Sequence, residues 1–314
     1  MAAIDKNQHV YDMIIIGGGP GGYTAALYAV RAGLDTLVLE KFTAGGQLAQ
    51  THQIDNYPGF VDGIGGFELA LQMQQQAERF GARTENAEVY HLDLQADPKR
   101  IETSEGVYYS RTVVLATGAN PRELGLPEEQ ELLGRGVAYC AACDGMFYRG
   151  KTVVVVGGGN TAAEDALLLS RIARKVILVH RRDTLRATKI YHEPLRQAEN
   201  VELHFDSVVT QLLHADTVTG VKLRNVKTGE ETELACDGVF VSIGRKPVTE
   251  LVADQLKLDE NGYIQAGETT ETSVPGVYAV GDVRTKPMRQ VVTAVADGAV
   301  AVHMAENHLA QSVR

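Results

Sequence analysis

Tyr11-Asp12-Met13-Ile14-Ile15-Ile16-Gly17-Gly18-Gly19-Pro20-Gly21-Gly22 decides the fold of this 314-residue chain. An apolar run of strand length ends in a turn of the form Gly17-x-Gly19-x-x-Gly22. A helical pattern follows from Tyr23 to Ala32, stopped by Gly33, and a second apolar run, Thr36 to Leu39, ends on Glu40. In such a strand, turn, helix, strand unit the glycines let the backbone bend tightly and approach a pyrophosphate. The helix N-terminus adds free N–H donors. Glu40 stands where a carboxylate accepts hydrogen bonds from a ribose diol.

The same unit returns 140 residues later without a gap. Val153 to Val156 reads as the strand, Gly157-x-Gly159-x-x-Ala162 as the turn, Thr161 to Ile172 as the helix and Val176 to Val179 as the second strand. At the position of Glu40 stands His180, followed by Arg181 and Arg182. A single glycine turn also occurs in unliganded α/β folds. Two in register, each inside a complete pattern, point to two nucleotide sites. Glu40 favours an unphosphorylated ribose, as in FAD or NAD. His180, Arg181, Arg182 and nearby Arg186 offer cationic donors to a 2′-phosphate, hence NADPH. From Arg171 to Lys189 seven basic residues face one acid, Asp183, in a chain of net charge −10. The competing explanation is a solvated helix face or a protein-docking patch.

Just ahead of the second unit lies Cys140-Ala141-Ala142-Cys143-Asp144-Gly145. Two thiols at this spacing can close a small disulfide ring or supply half of a zinc site. A structural zinc site needs a second closely spaced ligand pair, and the sequence has none. The third cysteine, Cys236, leads into Val239-Phe240-Val241 and reads as a buried structural thiol. Asp144-Gly145 by itself reads as a turn dipeptide.

Around these motifs the chain carries a helical pattern from Phe67 to Phe80 and a strand from Val107 to Leu115 ending in Ala116-Thr117-Gly118. Further β-type runs occur at Val201 to Phe205, Val221 to Val226 and Val239 to Ile243. A strand from Val277 ends in Gly281-Asp282, and a last helix runs from about Arg289 to Leu309. Apolar strands ending in Thr-Gly and Gly-Asp on both sides of the second unit make that unit an insertion into the first domain. The expected fold is α/β, with two Rossmann-like three-layer domains: 1–118 with 247–314, interrupted by 119–246. The acidic balance (pI near 5.4) argues against nucleic acid. Met1 to Val10 is polar, no run approaches about 20 apolar residues, and three cysteines make no extracellular disulfide framework. A cytoplasmic protein is expected.

Taken in order, the motifs are Gly17 to Gly22, Gly45-Gly46-Gln47-Leu48, Asn56-Tyr57-Pro58-Gly59, Ala116-Thr117-Gly118, Cys140 to Gly145, Gly157 to Ala162, His180-Arg181-Arg182, Gly281-Asp282 and Arg289-Gln290. This series resembles the low-molecular-weight, bacterial-type thioredoxin reductase family over nearly the whole chain. The resemblance implies FAD on Gly17, Gly19, Gly22, Glu40, Gln47, Asn56, Gly118, Asp282, Arg289 and Gln290. It implies NADPH on Gly159, Asn160, Thr161, His180, Arg181, Arg182 and Arg186, with the NADPH domain carrying a Cys140–Cys143 redox disulfide. It further implies a homodimer that reduces thioredoxin, with Cys143 facing the flavin, Cys140 attacking the partner and Asp144 as proton donor. A disulfide against a flavin cannot also touch a protein substrate, so rotation of the inserted domain between half-reactions is expected. Ala142, Leu185 and Met288 depart from residues common in the family and bear on the partner's identity. The competing functions are a flavoprotein reductase serving a peroxidase-type or glutaredoxin-like acceptor, and a nucleotide-sensing module without turnover.

Overall fold

The computed structural model describes residues 9–42, 44–51 and 53–311. The N-terminal stretch before His9 and the last three residues lie outside the described residues. The chain divides into two compact units, Met1–Asn120 with Lys246–Arg314, and Pro121–Arg245.

In the first unit, alternation within Val10–Ile16 feeds two cores. Met13 and Ile15 face one side of the sheet, and Ile14 and Ile16 the other. Burial on both faces explains why the run reads as continuously apolar. The sheet order is Arg83–Asn86, Thr36–Glu40, Val10–Ile16, Gly106–Leu115, Lys99–Thr103, Val89–Asp93, and Val277–Ala279 pairs in parallel with the end of Gly106–Leu115. The first four strands are parallel, while the pair Lys99–Thr103 and Val89–Asp93 adds antiparallel pairing. Helices Pro20–Arg31 and Val291–Gln311 cover one face. They cross so closely that a Cβ on Gly298 would lie 2.4 Å from the carbonyl oxygen of Gly21.

The second unit repeats the plan. Its parallel sheet runs Val201–His204, Lys175–Val179, Thr152–Val156, Gly238–Val241, Val137–Ala138. Helix Asn160–Ser170 buries Ala162, Ala163, Ala166 and Leu169 against one face. An antiparallel meander of Ser207–His214, Val218–Asn225 and Glu231–Ala235 supplies Leu212, Val221 and Leu223 to the other. The last helix begins at Val291, not Arg289, so Arg289 and Gln290 stand on the segment leading into it.

Candidate active site

Cys140 and Cys143 are joined as a disulfide, with Cα atoms 5.3 Å apart. Cys140, in extended conformation, caps the four-residue helix Ala141–Asp144. The Cys143 N–H lies 3.2 Å from Cys140 Sγ, and the Asp144 N–H donates to the Cys140 carbonyl at 3.0 Å. Both sulfur-bearing residues are half-buried. Burial also pushes the Asp144 carboxyl up to about 6, a value suited to proton transfer near neutrality. Cys236 is free and buried, and burial pushes its thiol up to about 12, so it is an inert packing residue. Among the described residues no cluster of three or more His, Cys, Asp or Glu could hold a metal ion.

The first glycine turn sits at the end of Val10–Ile16. Gly17 has φ +106°, and a Cβ there would lie 2.5 Å from the Ala116 carbonyl oxygen. A Cβ on Gly22 would lie 2.0 Å from the Gly17 oxygen. Gly19 opens the helix with no side-chain cap and nothing within 4 Å of its Cβ position. Uncapped N–H groups beside open space fit a dinucleotide pyrophosphate. Glu40 Oε2 accepts the Gly18 N–H at 2.5 Å, which holds the carboxylate against the turn. Asn56 and Gln290 are brought together, Nδ2 donating to Oε1 at 3.0 Å. Arg289 stacks 3.9 Å above the Tyr263 ring and donates to the carbonyl of Asp282, from Nε at 3.4 Å. Gln47 Nε2 donates to Asn120 Oδ1 at 3.1 Å, and Gly118 turns at φ +72°.

The second turn has the same construction. A Cβ on Gly157 would lie 2.3 Å from the Ser242 carbonyl oxygen, and Gly159 opens its helix uncapped and unobstructed. The His180 ring covers Gly158, where a Cβ would come within 2.2 Å of it. His180 is buried and its Nε2 has no hydrogen-bond partner. Burial, then the charges of Arg182, Arg181 and Arg186, lowers its pKa. Those arginines are exposed, and no carboxylate pairs with them among the described residues. An orphaned imidazole nitrogen beside three free guanidinium groups fits a phosphorylated ribose. Asn160 Oδ1 instead accepts from Thr188, N at 2.8 Å and Oγ1 at 2.9 Å, pinning the following loop to the helix start; Thr161 is exposed.

Sequence reasoning missed the pair Ser242 and Asp165. Ser242 Oγ donates to Asp165 Oδ2 at 2.5 Å, and burial, partly offset by that bond, raises the carboxyl to about 6. The available signal was positional: Ser242 follows its strand as Ala116 follows the equivalent strand in the first unit.

Residues 11–298 match the family model described as pyridine nucleotide-disulphide oxidoreductase. The chain is 46% identical to the thioredoxin reductase of Treponema pallidum, over 95% of this chain and 97% of that one. It is likewise 46% identical to the thioredoxin reductase of Mycolicibacterium smegmatis, over 98% and 99%. Among solved structures, the thioredoxin reductase of Streptococcus pyogenes superposes with a TM-score of 0.90 at 43% identity, covering 96% of this chain and 99% of that one.

Proposed function

The chain belongs to the thioredoxin reductases of the pyridine nucleotide-disulphide oxidoreductase family, and from that premise we propose that it passes electrons from NADPH to the Cys140–Cys143 disulfide and on to thioredoxin. The observation that carries the reading is the closed disulfide with a half-buried, proton-ready Asp144 beside it. It lies in the same unit as the glycine turn that His180, Arg181 and Arg182 follow. Relatives named for thioredoxin favour that acceptor over a peroxidase-type or glutaredoxin-like one.

FAD is assigned to the first domain, 1–118 with 247–314, on Gly17, Gly19, Gly22, Glu40, Gln47, Asn56, Gly118, Asp282, Arg289 and Gln290. NADPH is assigned to 119–246, on Gly159, Asn160, Thr161, His180, Arg181, Arg182 and Arg186. When bound, FAD supplies the two-electron relay between nicotinamide hydride and disulfide. In the reductive half, Cys143 accepts the electron pair, the Sγ–Sγ bond breaks and Asp144 gives its proton to the departing thiolate. In the oxidative half, Asp144 takes that proton back, and the Cys140 thiolate attacks a sulfur of the partner disulfide and displaces the other as thiolate. Cys143 then resolves the mixed disulfide, which restores the Cys140–Cys143 bond and frees a dithiol partner. Two electrons and two protons reach the partner in each cycle.

The inserted domain is taken to rotate between these halves on its two passages, Asn120-Pro121 and Lys246-Pro247. A homodimer in the cytoplasm completes the reading, with sedimentation as its check. No helix among the described residues is long and apolar enough to cross a membrane.

The test is anaerobic titration of the purified flavoprotein with NADPH and then NADH, followed by thioredoxin. NADPH bleaches the flavin, and thioredoxin restores it in the parent. Cys140→Ser still bleaches but loses thioredoxin reduction, by about 10³-fold or more. A covalent lock between the domains allows one half-reaction and stops steady turnover. Full thioredoxin reduction by Cys140→Ser would sink the reading.

A further inference from the structure

Beside the first glycine turn lies a buried charge cluster that none of the assigned roles uses. Val280 closes the sheet by donating to the Leu115 carbonyl at 3.0 Å, and Gly281 then turns away at φ +73°. This turn stands against the fingerprint itself: a Cβ on Gly21 would lie 3.1 Å from Val280 Cγ2 and 3.1 Å from the Ala294 oxygen. One turn further along the last helix, Asp297 reaches back to the departing segment. Its Oδ2 accepts the Gly281 N–H at 2.8 Å, Arg284 Nε at 2.9 Å and Lys286 Nζ at 2.6 Å, while Oδ1 accepts Arg284 Nη2 at 2.6 Å. Arg284 Nη1 donates to the carbonyls of Ala266, Gly267 and Thr285. The Asp297 and Lys286 side chains are 7% and 4% exposed.

The energetic logic is unusual for a plain staple. Burial opposes ionisation of Asp297, yet the hydrogen bonds from Arg284 and Lys286 outweigh it and hold the carboxyl below its ordinary range. A buried ion group of this kind costs desolvation that apolar side chains of similar volume would avoid, so it stabilises less than it specifies. What it specifies is one path for residues 281–286. Asp282 rides on that path, and Arg289 is fixed by it, donating to the carbonyls of both Asp282 and Arg284.

We propose that Asp297, with Arg284 and Lys286, is a positioning residue for the flavin: it clamps the Gly281–Lys286 segment in the one conformation that presents Asp282 and Arg289 to FAD. The proposal rests on the assignment of FAD to the first domain. Asp297 touches no part of the cofactor and acts through the segment it holds.

The test compares FAD release from the purified holoenzyme on dilution, the flavin circular dichroism and the thermal midpoint, in four proteins: parent, Asp297→Asn, Lys286→Met and Asp282→Asn. Asp297→Asn is expected to release FAD roughly tenfold faster or more, because several charge-assisted bonds are lost together, and to change the flavin dichroism. Lys286→Met, which keeps the two Arg284 bonds, shows a smaller acceleration in the same direction. If Asp297→Asn and Lys286→Met both release FAD at the parent rate while melting earlier, the cluster is a fold staple only and the proposal is overturned. If Asp297→Asn does not fold, Lys286→Met decides by the same criterion. Asp282→Asn separates the two levels. Faster release there with parent-like release from the clamp variants sinks only the clamp, whereas parent-like release from Asp282→Asn sinks the FAD assignment of this turn and the clamp with it.

Discussion

Gly18 and Gly158 stand at the same step of two turns built alike, yet a carboxylate covers the first and an imidazole the second. In both units the first glycine abuts the carbonyl of the residue after the neighbouring strand, Ala116 or Ser242. In both, the second is covered by a side chain at the end of the next strand, Glu40 as its last residue and His180 just after it, and the third opens an uncapped helix onto free space. The backbone cradle is therefore indifferent to which nucleotide it holds. Discrimination falls to the covering position and the residues just after it. Glu40 commits its carboxylate to the Gly18 N–H, while His180 keeps Nε2 unpartnered next to three unpaired arginines. On the assignments proposed above, the repeated cradle would bind the phosphates and the divergence after one strand would choose the ligand.

The cradle is also where the two units can be broken apart most sharply. At its last consensus position the first unit has Gly22 and the second Ala162. A methyl on Gly22 would sit 2.0 Å from the Gly17 oxygen, a backbone atom that cannot step aside without moving the turn. Gly22→Ala is expected to cost about 3 kcal/mol and to strip FAD. Ala162→Gly in the second unit costs about 1 kcal/mol, the usual loss for glycine inside a helix, and leaves FAD in place. Denaturant melts and flavin absorbance of the two variants check this, and equal losses would mean that the Gly17 turn yields to the added methyl.

Next in size is the ligand choice itself. Arg182→Ala removes a free guanidinium from the second unit, so KM for NADPH should rise roughly tenfold, while KM for NADH stays near its parent value. Steady-state kinetics with both nucleotides decide it. A parallel rise for both would move Arg182 from recognition of the 2′-phosphate to support of the loop.

Much of this comparison was legible in the sequence because it rests on local patterns. The strands Val10–Ile16 and Thr152–Val156 are apolar runs ending in glycine, and their offset aligns Glu40 with His180. Other parts carried no such signal. Arg83–Asn86 is a polar four-residue edge strand, recognisable only through its pairing with Leu37 to Glu40. Lys99–Thr103 puts a buried lysine beside Ile101 on its inward face, and Glu231–Ala235 buries no residue, so neither alternates apolar with polar along its sequence. The meeting of Asn56 with Gln290 spans 234 residues of sequence, and that of Ser242 with Asp165 spans 77. Contacts of that range belong to the fold and leave no mark in local spacing. Asp297 was hidden for the same reason: on a helical pattern it reads as one polar residue among alanines and valines.

The smallest expected effect sharpens the comparison from the side of chemistry, since the second unit holds the Cys140–Cys143 disulfide with Asp144 next to it. Asp144 carries a folded-state pKa of about 6, raised by burial above the ordinary carboxyl value of 3.8. Between those two values the folded chain keeps a proton that the unfolded chain has released. Stability therefore falls as pH rises through that window, and above about 6 the ionised side chain carries the whole penalty. An asparagine at this position cannot ionise and escapes it. Asp144→Asn should thus be more stable than the parent at pH 8, by about 1–2 kcal/mol once partial exposure is discounted, with the gap closing toward pH 4. The same variant should reduce its disulfide more slowly, because the departing thiolate loses its proton donor. Denaturant melts of the oxidised proteins at pH 4, 6 and 8 measure the first effect and stopped-flow reduction the second. A variant that gains stability while losing rate shows that the strain at Asp144 serves the disulfide chemistry. One that gains stability and keeps its rate assigns the proton to another donor and leaves Asp144-Gly145 as a turn.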